Sequence, residues 1–108
     1  MARLKSLGKK EVTTAGTPVR ATATDTWCES FMVEPWIGNT GKTYVGTSAS
    51  DFGSGNTYLL GIMPIPTTNV VEPFNSGKGS QGNHSFNLAD IYIDADVNGE
   101  AVLITYTS

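Results

Sequence analysis

The chain has 108 residues, seven Lys/Arg against ten Asp/Glu and a net charge of −3, a length that suits one domain with a core of its own. One cysteine, Cys28, excludes an internal disulfide and a cysteine-rich zinc site. No apolar run approaches the length that spans a bilayer, so neither a membrane partner nor, given the charged start "MARLKSLGKKEV", a secretory leader is expected.

The charge is split along the chain. Arg3, Lys5, Lys9 and Lys10 carry +4 in the first ten residues, and from Glu11 onward three bases face ten acids, which leaves the body at −7. An acidic body lacks the basic face that displaces counterions from nucleic acid, so no nucleic-acid partner is expected. Residues 1–12 are set apart as a basic N-terminal arm, extended and able to dock on an acidic partner. Residues 13–108 form the domain.

Behind the arm, "TPVRATAT" alternates, with Val19, Ala21 and Ala23 to one side and Arg20, Thr22 and Thr24 to the other. "ESFMVE" follows as a strand with Phe31 and Val33 inward. The two tryptophans, Trp27 and Trp36, flank this strand and suit core or interface packing, with sugar stacking as the other use of an exposed ring. Cys28 reads as a small buried hydrophobe.

"GNTGKT", Gly38 to Thr43, ends like a phosphate-binding loop. Such a loop needs a glycine five residues before Gly41 and a helix after it. Trp36 stands in place of that glycine, and Tyr44-Val45-Gly46-Thr47 favours a strand. The stretch is therefore predicted to be a Gly/Asn turn between strands, with Lys42 an ordinary surface residue.

"KTYVGT" is the next strand and "SASDFGSGN" the next loop. "TYLLGIMPI" is apolar throughout and reads as a central strand that stops at Pro64. Residues 64–85 read as a long irregular connection with a short strand near Val70 and Val71, of a length that is usually functional or ordered by a partner. His84 lies in this connection. A Ser-His-Asp site built from Ser80 or Ser85, His84 and Asp90 has no supporting motif, so no catalytic residue is expected.

The last segment, "DIYIDADVNGEAVLITY", holds Asn98-Gly99 between two alternating runs, the signal of a β-hairpin. That register places Ile91, Ile93, Ala95, Val102 and Ile104 on one apolar face, with Asp94 and Asp96 on the other. Asp94-x-Asp96-x-Asn98-Gly99 also copies the first half of a calcium loop. The twelfth position, where that loop needs a bidentate glutamate, is Thr105, so no metal or cofactor is expected. The whole is predicted to be all-β, a single antiparallel sandwich of jelly-roll type.

The blocks "SLGKKEVTTAGTPVRATAT", "GNTGKTYVGTS" and "DIYIDADVNGEAVLITY" resemble short virion proteins of tailed bacteriophages. Those proteins share the Leu-Gly-Lys opening, the Ala-Gly-Thr-Pro-Val-Arg strand, the Gly-Asn-Thr-Gly turn and the closing Asn-Gly-Glu segment. The stretch from Ser50 to Ser85 matches less. The resemblance implies a capsid decoration (cement) protein that is not an enzyme, bound at capsomer junctions on the outer surface of the head and assembled in the bacterial cytoplasm. Its implied partners are the major capsid protein and copies of itself, as a trimer. A tail, connector or head-fibre component is the alternative in the same setting, and a carbohydrate-binding module using Trp27 or Trp36 lies outside it. The residues expected to meet a partner are Arg3, Leu4, Lys5, Leu7, Lys9 and Lys10 of the arm, and Trp36.

Overall fold

Short β-branched and aromatic runs, cut by Gly, Pro and Asn, fold into strands. A computed structural model describes residues 3–49, 52, 59–67, 70–76 and 86–108. Among them the strands are β1 (Leu4–Glu11), β2 (Val19–Arg20), β3 (Trp27–Cys28), β4 (Ser30–Pro35), β5 (Thr43–Gly46), β6 (Gly61–Met63), β7 (Phe74–Asn75), β8 (Phe86–Asn87), β9 (Tyr92–Ala95) and β10 (Ala101–Thr107). A 3-10 turn, Leu88–Asp90, is capped by Asn87, whose side chain accepts from the Ala89 N–H.

The strands make two four-stranded antiparallel sheets, ordered β1-β10-β4-β7 and β2-β9-β5-β6, with β3 and β8 as a small third pair. Leaving that pair aside, the chain is a two-stranded ribbon folded on itself. β1 pairs with β10, β2 with β9, β4 with β7 and β5 with β6. Wrapping that ribbon around a core gives the jelly roll.

This topology corrects the expected hairpin. β9 and β10 lie in different sheets, and the segment between them crosses from one sheet to the other. A turn is present, with the Glu100 N–H donating to the Val97 carbonyl and Gly99 at φ +80°. The apolar alternation was read correctly, because Ile91, Ile93, Ala95, Val102 and Ile104 are all buried. They face one another across the sandwich rather than side by side. Period-two patterning assigns a face to each residue and says nothing about which strand lies next to it.

The segment set apart as a basic arm is extended, and it is laid into a sheet as strand β1. Its pairing is interrupted between Ser6 and Gly8, where Gly8 takes φ +79° and its N–H bonds the Ser6 hydroxyl. The bulge gives Leu7 the freedom to leave the strand's alternation, and Leu7 packs on the core. A lysine-rich, bulged strand is also a standard guard for an open sheet edge.

Two further readings change. In "TPVRATAT" the alternation holds for half-buried Val19 and buried Ala21 but ends before exposed Ala23. Among its described residues, the apolar run that read as a central strand yields three strand residues, at the edge of its sheet. Of these, Met63 is buried, Ile62 faces solvent, and Gly61 is overlaid by an aromatic ring. A Cβ on Gly61 would sit 2.5 Å from Phe74 Cδ1, so only glycine admits that ring. Phe74 belongs to β7, so this contact closes one side of the sandwich. The short strand expected near Val70 and Val71 forms instead at Phe74–Asn75. The loop 50–58, apart from Phe52, and residues 68–69 and 77–85, His84 included, lie outside the described residues.

The core runs the length of the sandwich, from Val12 and Val102 to Phe31, Met63 and Leu88. Phe31 on β4 is its aromatic junction, with ring centroids 5.9 Å from Phe74 and 5.4 Å, edge-on, from Phe86. Cys28 is fully buried in the same core, and burial pushes its thiol up to about 11. A thiolate is the reactive form, so Cys28 should resist thiol-modifying reagents at neutral pH in the native state and react at once in denaturant. Rapid labelling of the native protein would contradict this placement. The native state also holds the Cys28 proton more tightly than the unfolded chain. The associated stabilisation is therefore complete below pH 9 and is lost as pH rises from there through about 11.

Candidate binding surface

The loop that mimics a phosphate-binding loop does present backbone N–H groups to an anion, and the anion is the chain's own. Gly38 turns with φ +99°, and the Asn39 N–H bonds the Trp36 carbonyl. Asn39, buried, clamps the Ala101 backbone at both ends: its Nδ2 donates to the Ala101 carbonyl at 2.8 Å and its Oδ1 accepts from the Ala101 N–H at 3.3 Å. This brings the Glu100 carboxylate beneath the loop. One oxygen accepts from the Thr40 N–H (2.6 Å) and hydroxyl (2.9 Å), the other from the Gly41 N–H (3.0 Å). Gly41 has no room for a side chain, since a Cβ would lie 2.9 Å from that of Asp96.

Three charge-assisted bonds to one carboxylate are worth more than an exposed ion pair. Glu100→Ala is expected to cost about 2 kcal/mol in chemical denaturation, whereas Lys42→Ala should stay within about 0.5 kcal/mol of wild type. Equal effects from the two changes would contradict this reading of the loop.

The calcium-loop mimic is likewise engaged internally. Asp94 Oδ1 accepts from the Gly16 and Ala95 N–H groups, Asn98 Oδ1 accepts from the Ala15 N–H, and Asp96 Oδ1 accepts from the Tyr44 hydroxyl at 2.6 Å. Among the described residues no group of three or more His, Cys, Asp or Glu is placed to hold a metal. Asp94, Asp96 and Tyr44, with Phe52, line an open cavity of about 370 Å³ on the outer face of the β2-β9-β5-β6 sheet. Burial, then the bond to Asp96, pushes the Tyr44 phenol up to about 12.

The residues expected to meet a partner divide into two groups. Leu7 is partly buried and packs against the core. Arg3 exchanges backbone hydrogen bonds with Ser108, Lys5 Nζ donates to the Ser108 hydroxyl at 3.0 Å, and Lys10 is half-buried opposite Val102. Leu4 is 77% exposed at the start of β1. Lys9 and Trp36 come together, with the ammonium 4.6 Å from the centre of the indole ring. That contact joins the basic β1 edge to an apolar rim of Trp36, Ile37 and Val97, all exposed, around a cavity of about 290 Å³.

Ile37 and Val97 were not anticipated from the sequence. The available signal was a large aliphatic residue immediately before a turn pair, Ile37 ahead of Gly38-Asn39 and Val97 ahead of Asn98-Gly99. Neither has a strand to carry it inward. No protein-family model, no curated protein and no solved structure matches the chain.

Proposed function

We propose that the chain is a structural protein of a tailed-phage virion, a decoration protein that binds the outer surface of the head and strengthens capsomer junctions, as a homotrimer. The observation that carries this reading is the surface just described. A basic strand edge runs into an exposed Trp36-Ile37-Val97 rim through the Lys9–Trp36 contact. Aromatic and aliphatic side chains grouped beside a charged border have the make-up of a protein-docking surface. The resemblance of three sequence blocks to phage virion proteins supplies the setting. The jelly roll adds a fold-level analogy, since it also builds capsid and lectin domains. Trp36 offers one ring face to Lys9, which favours protein docking over sugar stacking at that residue.

The test is to add purified protein to phage heads that lack it and measure the bound fraction across a salt series. Wild type is expected to saturate the heads and to bind less as salt rises, because exposed charges are screened beyond about 8 Å at physiological ionic strength. Trp36→Ser with Ile37→Ser, and separately Lys5→Glu with Lys9→Glu, should each weaken attachment. Absence of wild-type binding to heads would overturn the decoration role and pass the surface to a tail, connector or head-fibre partner.

A further inference from the structure

The open cavity on the outer face of the β2-β9-β5-β6 sheet combines two kinds of side chain, aromatic and acidic. Tyr44 and Phe52 are its aromatic side. Gly46 stands two residues from Tyr44 on β5 and so shares its face of the sheet. A Cβ there would lie 3.2 Å from the Phe52 ring, so glycine lets that ring rest against the strand beside Tyr44.

Asp94 and Asp96 are the acidic side. Asp94 is only 7% exposed. Its Oδ1 accepts from the Gly16 and Ala95 N–H groups, and its Oδ2 accepts no bond among the described residues. Nor is Oδ2 sealed in, because the one sealed side-chain atom without a partner among those residues is Thr43 Oγ1. A carboxylate oxygen of a nine-tenths buried residue therefore opens on the cavity without a protein donor, although buried charges are as a rule satisfied. The bonds that Asp94 and Asp96 do accept come from neutral groups, and no lysine or arginine lines the cavity. Arg20, on the same sheet, is engaged with Tyr92, its Nε donating to the hydroxyl at 3.1 Å. Lys42, one residue before β5, is exposed.

We infer that this cavity binds a guanidinium group. The two carboxylates supply acceptors and negative charge, and a planar guanidinium presents several N–H donors to them at once. The same plane stacks on aromatic faces, which gives Tyr44 and Phe52 a part that metal coordination leaves unused. A volume of about 370 Å³ also far exceeds a bare metal ion and admits the chain that carries the guanidinium. That group arrives on an arginine of a partner protein or on a small free molecule, and the recognition is the same. Lys9 and the β1 edge belong to the other sheet, so the inference holds whether or not the chain binds a phage head.

The experiment follows amide resonances of the full chain in titrations with methylguanidinium, its neutral isostere methylurea, calcium chloride, and the blocked tripeptide acetyl-Gly-Arg-Gly-amide. Methylguanidinium should shift the Gly16 and Ala95 amides, which bond Asp94, along saturable curves, and methylurea should not. Asp94→Asn keeps an oxygen for those two N–H groups while removing the charge, and should weaken binding about tenfold or more. Asp96→Asn, at an exposed position, should weaken it in the same direction, so the result does not hang on the folding of a buried variant. Phe52→Leu should weaken it about two- to fivefold. Glu72→Gln removes an exposed carboxylate elsewhere and should change nothing. Binding of the tripeptide as well as methylguanidinium upholds the inference with a partner's arginine as the source, and binding of methylguanidinium alone upholds it with a small molecule. The absence of a saturable shift with either guanidinium probe overturns it. So does equal binding of methylurea, tighter binding of calcium at the same amides, or undiminished affinity in both aspartate variants.

Discussion

A chain lacking residues 2–10 will not fold. The basic segment reads in the sequence as a detachable arm, yet it forms most of β1, the strand that begins the jelly-roll ribbon and lies along the whole of β10. Its removal strips one edge of β10, uncovers the core around Val102 and Ile104, and discards Leu7 from that core. It also removes the strand leading into Val12, which is fully buried, donates to the Glu100 carbonyl and accepts from the Gly99 N–H. Domains are stabilised by about 5–15 kcal/mol in total, and a lost strand that carries Leu7 and leads into Val12 is of that order. The truncated chain is expected to lack a cooperative melting transition and dispersed amide resonances. A native-like spectrum with a sharp transition would show that β1 is dispensable and restore the picture of an arm.

The second large effect is at Phe31. Its ring touches those of Phe74 on β7 and Phe86 on β8, so one side chain ties β4 to a sheet neighbour and to the small third pair. Phe31 is 3% exposed, so its truncation leaves a cavity that the surrounding strands cannot collapse to fill. Phe31→Ala is expected to cost about 3–5 kcal/mol. Phe31→Leu keeps most of the volume and should cost roughly half as much, losing mainly the ring–ring geometry. Denaturant midpoints for the two variants provide the measurement, and indistinguishable midpoints would show that the junction owes nothing to its aromatic character.

Fold class was legible in the sequence because it rests on local signals. Phe31, Val33, Ile93 and Ile104 alternate with polar or half-exposed neighbours, and all four are buried. Strand partners were not legible. In a jelly roll each ribbon pair after the innermost joins residues ever further apart, and nothing near Val102 names Lys10 as its neighbour. Asn98-Gly99 announces a turn but not whether the chain returns to the same sheet or crosses to the other. The Gly38–Thr43 loop was similarly half-readable. Its glycine, asparagine and threonine mark an anion-cradling turn, while the carboxylate that fills it, Glu100, lies 60 residues from Thr40. The apolar edge at β6 misled for the opposite reason: composition records that side chains are apolar and not which of them end up outside.

The closure of the ribbon has a consequence for how the chain comes to be folded at all. Ser6 and Ile104, brought together in the first sheet, are 98 residues apart. A ribosome makes β1 well before β10, so the nascent chain holds β1 without its sheet partner until β10 has been made. Contacts this distant in sequence fold slowly, because the loop entropy is lost before the pairing compensates for it. Closure of the first sheet therefore waits until β10 has emerged, because β1 and β4 both pair with it. β10 is thus the strand on which closure of the first sheet depends, since it lies between β1 and β4.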